Sequence, residues 1–289
     1  FFTIVVVLAI PFFSKIICFF CFYCDDDDDD DDDDDVDDVD DPARFQHEHI
    51  ASATLRKFHS WLWWLWDNPV TIADNEADKY LSEFLIGEFP DDGWLSEETV
   101  DTEERLSKNR VWIVDPLDGT KEFIEGIPHF SVSIAMVYDG RPVVGVIYNP
   151  ATNEMFSCEK SKGVYLNAKK VNVSHKTNLL DASISGSRSE ARRKEWEPYR
   201  NHFKSINPIG SVAYKLALVS SGNYDIFTTI APKNEWDICA GDCLVSEAGG
   251  VLKTVNDKKI IYNQKKTLVR DTIIATNSVL FEGVSDLLF

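Results

Sequence analysis

Two segments near the start of the chain have apolar residues at helical spacing. The pattern predicts one helix over residues 44–66 and a second over residues 71–89. A Pro-Asp-Asp-Gly turn at 90–93 ends the second helix. Both helices precede a region whose apolar residues are spaced as in strands, so we expect the two helices to pack together against a sheet.

The region after residue 110 has short apolar runs separated by turn residues. Asp139-Gly140 and Asn149-Pro150 are two such turns. Because each run is short and the next follows quickly, the pattern predicts a mostly antiparallel sheet. The predicted strands cover residues 111–115, 130–137, 142–148, 154–157 and 163–167.

After about residue 175 the pattern changes to alternating strands and helices. The sequence therefore predicts an N-terminal α+β domain at 42–175 and a C-terminal α/β domain at 176–289. Gly222 and Gly249-Gly250 are the expected helix stops. The predicted strands cover 183–187, 224–229 and 271–277, and the predicted helices cover 211–222 and 236–250.

Residues 1–41 differ from the rest of the chain and are set apart from the fold. Residues 1–24 are almost wholly apolar, and that length could span a bilayer. A membrane anchor and an artefact of translation are both open interpretations of this run. The acidic run that follows, up to Asp41, repels itself and is expected to be disordered. The remaining catalytic part is expected to be cytoplasmic, with membrane contact only through residues 1–24.

Most of the formal net charge of −20 lies outside the folded part, because residues 1–41 hold fifteen Asp and one Lys. The mildly acidic remainder excludes a nucleic-acid polymer as the expected partner. Small anions stay open as substrates, since a bound cation can invert the local charge. Cys158, Cys239 and Cys243 are scattered and indicate no disulfide framework.

The segment Val-Trp-Ile-Val-Asp-Pro-Leu-Asp-Gly-Thr brings oxygen atoms together at the end of a predicted strand. Asp115 ends the apolar run, and Pro116 is expected to stop the strand. The turn at Gly119 then directs Asp118 and the carbonyl of Leu117 toward the same point. Mg²⁺ prefers such oxygen ligands. A surface turn is the alternative for this segment taken alone.

Further carboxylates lie at the ends of other predicted elements. Glu97 and Glu98 follow the turn at 90–93, and Asp74 stands at a helix start. Asp237 occupies the first turn of the helix predicted at 236–250, where helix capping is its ordinary role. Carboxylates from four separated segments therefore point to a metal site.

These segments together resemble the inositol monophosphatase family. The two signature motifs match "DPLDGT" at 115–120 and "WDICAGDCLVSEAGG" at 236–250, and the upstream motifs resemble "PVTIAD" and "LSEE". The resemblance covers about residues 69–278. It implies a layered αβαβα sandwich and a metal-dependent, lithium-sensitive phosphatase that uses two or three Mg²⁺ ions.

The resemblance also implies a role for each matched residue. Asp74, Glu97 and Thr120 are the expected catalytic residues, with Asp74 and Thr120 orienting the attacking water. Backbone N–H groups of Gly119 and Thr120 bind the phosphate, and Asp237 lies beside the substrate. The implied metal ligands are Glu97, Asp115, the Leu117 carbonyl, Asp118 and Asp237.

The substrate is expected to be a small phosphorylated metabolite. "DPLDGTKEF" and "GSVAYKLALVSSGNYDIF" resemble the 3'(2'),5'-bisphosphate nucleotidase branch, which removes the 3'-phosphate of adenosine 3',5'-bisphosphate. Ile230 stands where inositol monophosphatases have a Glu that grips inositol hydroxyls. Lys215 and Lys233 are candidate contacts for a second phosphate, or else solvated surface lysines.

Three alternatives stay open from the sequence. Two of them are enzymes: an inositol monophosphatase, or a phosphatase for another ester such as histidinol phosphate. The third is not an enzyme but an acidic, membrane-tethered cation-binding scaffold. An intact carboxylate set disfavours the scaffold, which has no need of Thr120 or Asp74. A monomer and a homodimer are equally compatible with the sequence.

Overall fold

The structure is a computed structural model that describes residues 70–288. The helix predicted at 44–66, the apolar run and the acidic run lie outside these residues. Within the described range the α-helices are α1 (Ile72–Glu88), α2 (Thr120–Ile124), α3 (Arg188–Arg192), α4 (Val212–Ser220), α5 (Glu235–Glu247) and α6 (Ser278–Leu288). Short 3-10 helices in that range cover Glu104–Ser107, Leu179–Asp181 and Glu197–His202.

The first sheet has seven strands in simple chain order. β1 and β2 pair in parallel, and every later neighbour pairs antiparallel, which confirms the predicted mostly antiparallel sheet. Its strands are β1 (Gly93–Ser96), β2 (Arg110–Asp118), β3 (Ser131–Tyr138), β4 (Arg141–Asn149), β5 (Glu154–Glu159), β6 (Gly163–Leu166) and β7 (Lys169–Val171).

The second sheet has five strands in the order β12-β14-β10-β8-β9. β8 lies parallel to both of its neighbours, whereas β14 runs antiparallel to β10 and β12. A two-stranded ribbon of β11 and β13 stands apart from it. The strands are β8 (Ser183–Ser187), β9 (Ser205–Ile209), β10 (Ile226–Thr229), β11 (Lys233–Asn234), β12 (Gly250–Thr254), β13 (Leu268–Val269) and β14 (Ile273–Asn277).

Among residues 70–288, three hydrophobic cores show how the sheets and helices are layered. The outer core joins α1 to one face of the first sheet, for example through Leu81 and Trp112. The middle core places α4 and α5 between the two sheets. The third core packs α6 and neighbouring short helices on the far face of the second sheet. The expected αβαβα sandwich is therefore confirmed. The boundary at 175/176 stays a prediction, and the middle core contains residues from both sides of it.

Helix α5 lies close to the first sheet because β4 has a glycine beneath it. A Cβ atom at Gly145 would lie 2.8 Å from the Ala240 carbonyl oxygen and 2.9 Å from the Cys243 Cβ. A larger residue would push the helix outward. The absence of a side chain at this position therefore helps to set the distance between α5 and the strands that carry the site.

The strand β2 differs from the sequence-based expectation. It does not stop at Pro116 but continues to Asp118. Asp115 pairs with Ser133 and Asp118 pairs with Ser131, so three steps along β2 oppose two steps along β3. This bulge accommodates the proline, which has no N–H to give to a regular ladder. The bulge also changes the direction of the chain at the two aspartates.

Candidate metal centre and active site

Three carboxylates from three separate elements meet at one end of the first sheet. Glu97 directly follows β1, Asp115 lies in β2, and Asp237 occupies the first turn of α5. Each offers an oxygen atom, and these atoms all lie within 4.8 Å of one another. The structure thus brings together three of the predicted metal ligands that are far apart in the sequence.

Strand pairing and helix capping explain why these side chains converge. β1 and β2 run in parallel, so the residue after β1 lies beside the end of β2, and the Glu97 N–H donates to the Val114 carbonyl at 3.3 Å. The Asp237 carboxylate accepts the N–H of Asn234 at 2.8 Å in a capping box. That bond uses Oδ2 of Asp237 and fixes the side chain at the start of α5.

Asp118 lies beside this cluster but has protein partners of its own. Its Oδ2 accepts the Ser211 hydroxyl and the Ala213 N–H, both at 2.6 Å. Its charge nevertheless helps to raise the pKa of Glu97, Asp115 and Asp237, which places it near all three. The sequence analysis missed these partners, although Ser211, a serine at the start of the helix predicted at 211–222, was a signal for them.

The electrostatics of the cluster favour a bound cation. Burial, together with the neighbouring carboxylates, raises the pKa of Glu97 to about 8 and that of Asp237 to about 7. Burial and three acidic neighbours also raise the pKa of Asp115 well above its usual range. Its Oδ2 is buried without a hydrogen-bond partner, whereas Oδ1 accepts the Leu117 N–H at 3.1 Å. An all-oxygen donor set with one orphaned carboxylate atom fits a hard divalent cation.

Asp74 and Thr120 form a second polar pair at the same end of the sheet. The Thr120 hydroxyl lies 3.0 Å from Oδ1 of Asp74 and 3.1 Å from the Leu117 carbonyl oxygen. It has a single proton and donates to one of them at a time. Asp74 is buried in the first turn of α1, and its other oxygen accepts the Thr71 N–H at 2.7 Å. Burial raises the pKa of Asp74 above its usual value.

Gly119 makes the turn between the aspartates and helix α2. Its φ of +97° lies in the left-handed region, and a Cβ there would sit 2.8 Å from the His129 carbonyl oxygen. Only glycine fits this turn without strain. The turn places Thr120 at the first position of α2, next to the carboxylates.

The structure separates the two candidate lysines. Lys215 is buried within α4, so the solvated-surface interpretation is wrong for this residue. Burial lowers its pKa to about 8, with Lys233 adding to the effect and Asp118 opposing it. Lys233 is half-buried in β11. Ile230, immediately after β10, keeps 49% of its surface exposed.

No helix among residues 70–288 combines the length and the hydropathy that crossing a bilayer requires. The proposed anchor at residues 1–24 lies outside the described part of the chain and stays a prediction.

The fold and the acidic cluster together define a class of phosphatases. The family model described as "Inositol monophosphatase family" matches residues 66–286. The chain belongs to that family, which consists of metal-dependent phosphomonoesterases.

Individual relatives agree with the family assignment. The chain is 35% identical to an inositol-1-monophosphatase of Caulobacter vibrioides over 209 residues, which are 69% of this chain and 81% of that protein. It is 34% identical to a fructose-1,6-bisphosphatase/inositol-1-monophosphatase of Thermotoga maritima, over 66% of this chain and 73% of that one. The solved structure of an IMPase from Thermotoga maritima superposes with a TM-score of 0.68 at 30% identity, covering 77% of this chain and 84% of the other.

Proposed function

We propose that this protein hydrolyses the phosphate monoester of a small metabolite with the help of Mg²⁺. The observation that carries the proposal is the convergence of Glu97, Asp115 and Asp237, whose oxygen atoms lie within 4.8 Å of one another and whose pKa values are all raised. A cluster built for stability would pair such carboxylates with cationic side chains or hydrogen-bond donors.

The proposed ligands follow from this arrangement. Two or three Mg²⁺ ions would be held by the cluster, by Asp118 and by the carbonyl oxygen of Leu117. Mg²⁺ in such a site lowers the pKa of bound water and neutralises charge on phosphoryl oxygens. Asp115, whose Oδ2 has no hydrogen-bond partner, would be the ligand shared between the ions.

The residues around the ligands have proposed tasks of their own. Asp74, held by Thr71 and paired with the Thr120 hydroxyl, is positioned to accept a hydrogen bond from an attacking water and later its proton. Backbone N–H groups of Gly119 and Thr120 would donate hydrogen bonds to the phosphate and so orient it toward that water. Glu97 is the second carboxylate near the proposed water position.

Inositol 1-phosphate is the first substrate to test. Relatives that share about a third of their residues with this chain carry inositol-1-monophosphatase in their names. Their names favour this substrate over the bisphosphate nucleotide.

Adenosine 3',5'-bisphosphate is the second candidate, because two residues favour it. Ile230 offers an apolar, half-exposed side chain where the inositol-binding members of the family have a carboxylate, so inositol hydroxyls would find no acceptor there. Lys215, buried beside Asp118, provides a positive charge for a second phosphate.

Phosphate release from a panel of esters tests the proposal. Inositol 1-phosphate, adenosine 3',5'-bisphosphate, fructose 1,6-bisphosphate and histidinol phosphate would each be compared with and without Mg²⁺. Release of phosphate from any of them, lost in excess chelator, supports the phosphatase. Equal rates with and without chelator contradict the metal-dependent mechanism, and no release from any ester favours the cation-binding scaffold.

The variant Ile230→Glu separates the two substrate candidates. We expect it to raise kcat/KM for inositol 1-phosphate relative to the nucleotide by about tenfold, or ~1.4 kcal/mol, since it restores an acceptor for hydroxyl groups. Leu180→Glu, at another exposed apolar residue (60% exposed), is the matched control and should leave the ratio unchanged. An unchanged ratio in Ile230→Glu would remove this residue from the substrate pocket.

A further inference from the structure

A buried arginine connects the chain segments that carry Glu97 and Asp237. Arg105 stands in the 3-10 helix Glu104–Ser107, between β1 and β2, and only 2% of its surface is exposed. It is not a member of the carboxylate cluster. A buried guanidinium must have its donors satisfied, so its partners show what it holds in place.

Arg105 donates hydrogen bonds to two different parts of the chain. Its Nε and Nη2 bind the two carboxylate oxygens of Asp101 at 3.1 and 2.7 Å. Its Nη1 binds Oδ1 of Asn263 at 2.6 Å, and Nη2 also binds the Gln264 carbonyl at 3.0 Å. The Asn263 amide returns a bond to the Arg105 carbonyl oxygen at 3.2 Å. The segment after β1 is thus tied to a loop more than 150 positions later.

Glu235 ties that same loop to helix α5. Its two oxygens accept the N–H groups of Asn263 and Gln264 at 2.7 and 2.9 Å, and its side chain is buried. Glu235 is the first residue of α5, two positions before Asp237. Its own N–H donates to the Thr267 carbonyl at 3.0 Å. The start of the helix is therefore fixed against residues 263–267.

Hydrogen bonds through Arg105, Asn263 and Glu235 join the chain segments that carry two of the proposed metal ligands. These bonds begin at the segment that follows Glu97 and end at the first turn that holds Asp237. We infer that Arg105 is a positioning residue, which sets the separation of Glu97 and Asp237 through Asn263 and Glu235 and so tunes the affinity of the site for a divalent cation. The inference rests on the proposed metal-dependent function.

The geometry of this contact requires arginine rather than any cation. Three acceptors surround the planar guanidinium: Asp101, the Asn263 side chain and the Gln264 carbonyl. A lysine ammonium is a point charge on a flexible stem and cannot reproduce the planar arrangement of guanidinium N–H donors. Arg105→Lys should therefore keep the charge and lose most of the positioning.

Calorimetric titration of the full chain with Mg²⁺ alone tests this inference without any substrate. We expect Arg105→Met to weaken Mg²⁺ binding by about tenfold, the lower end of the effect of removing a group bonded directly to a metal ligand, because Arg105 acts through Asn263 and Glu235. Arg105→Lys and Asn263→Ala should weaken it by intermediate factors. At saturating Mg²⁺ the kcat of the milder variants should recover to within about threefold of the wild type, because no group that touches substrate is removed.

A matched control separates positioning from general stability. Lys176→Met removes another ion pair to a buried carboxylate, Lys176 to Asp225 at 2.8 Å, which holds no proposed ligand. This control should lower the melting temperature and leave the Kd for Mg²⁺ unchanged. If the Arg105 and Asn263 variants also lose only stability, with Mg²⁺ affinity within about twofold of the wild type, the inference is overturned.

The wild type distinguishes failure of this inference from failure of the proposed function. A wild-type chain that binds Mg²⁺ but hydrolyses none of the esters would contradict the function, while weaker Mg²⁺ binding in the variants would still support the positioning role. Should Arg105→Met not fold, Asn263→Ala gives the decisive measurement, since it removes the contact from the loop side and leaves the guanidinium paired with Asp101.

Discussion

Two buried aspartates in this protein have opposite surroundings. Asp225, just before β10, is 3% exposed, and its Oδ2 accepts bonds from Lys176 at 2.8 Å, the Ser183 N–H at 2.6 Å and the Ser183 hydroxyl at 2.8 Å. Burial acts to raise its pKa, but these donors lower it below its usual value. Asp115 is 1% exposed; burial raises its pKa, and the carboxylates beside it raise that pKa as well.

The difference shows what each acid contributes. Asp225 is satisfied by the protein itself and ties the segment before β8 to the second sheet, so it stabilises the fold. Asp115 repels its neighbours in the bare protein and becomes favourable only with a cation beside it. The same residue type, equally buried, stabilises the fold at one place and, in our proposal, binds a cation at the other.

The largest effect is expected for Asp115→Asn. An amide is a weaker, uncharged ligand, so kcat/KM should fall by about a thousandfold, or ~4 kcal/mol. The melting temperature of the metal-free protein should stay the same or rise, because one source of repulsion disappears. Steady-state kinetics and thermal unfolding in chelator measure both. Activity within about tenfold of the wild type would contradict the assignment of Asp115 as a ligand.

Asp225→Asn should produce the opposite result. The change leaves the Ser183 donors facing an amide and removes the partner of Lys176, so we expect a loss of about 2 kcal/mol in unfolding free energy. For a protein of this size that is a fall of roughly 4–8 °C in melting temperature. The kcat should stay within about twofold of the wild type. A larger loss of kcat would mean that the second sheet also shapes the site.

The smallest effect concerns pH and the metal-free state. The raised pKa of Glu97, about 8 against a usual 4.5, means that the folded protein holds a proton that the unfolded chain releases. The metal-free protein should therefore lose stability as pH rises from about 4.5 to about 8. Because Glu97 is partly exposed, Glu97→Gln should recover only on the order of 1 kcal/mol at pH 8.

Chemical denaturation across that pH range measures the effect. Glu76→Gln, on an exposed part of α1 away from the cluster, serves as the control and should leave the pH dependence unchanged. Excess Mg²⁺ should flatten the wild-type curve, since the cation favours the charged carboxylates. A metal-free wild type whose stability rises with pH over this range would contradict the repulsive cluster.

The sequence predicted most of the first sheet because its strands alternate with clear turns. It did not predict β9, where Pro208 interrupts a largely polar run at the edge of the second sheet. It also missed α6, although Asn277 accepts the N–H groups of Val279 and Leu280 and so caps that helix. Short edge strands and helices near a chain end depend on tertiary packing more than on pattern.

The sequence predicted those residues of the site that lie in recognisable local motifs. Glu97, Asp115 and Asp237 each follow a recognisable local pattern, and the structure brings them together. Arg105, which we infer to position two of the ligands, has no such signal, because its partner Asn263 lies about 160 positions away. Contacts of that range are fixed only by the complete fold.

The middle helix layer has a consequence for the protein during its synthesis. The first sheet is complete at residue 171, but the helices that cover its inner face end only at residue 247. At a usual ribosomal rate of roughly 5–20 residues per second, about 4–15 s pass between synthesis of the last strand of the sheet and synthesis of the end of these helices. During that interval the apolar face of β2, β3 and β4 is open to solvent, to chaperones and to other nascent chains. Folding of this enzyme in the cell is therefore gated by translation of its second half.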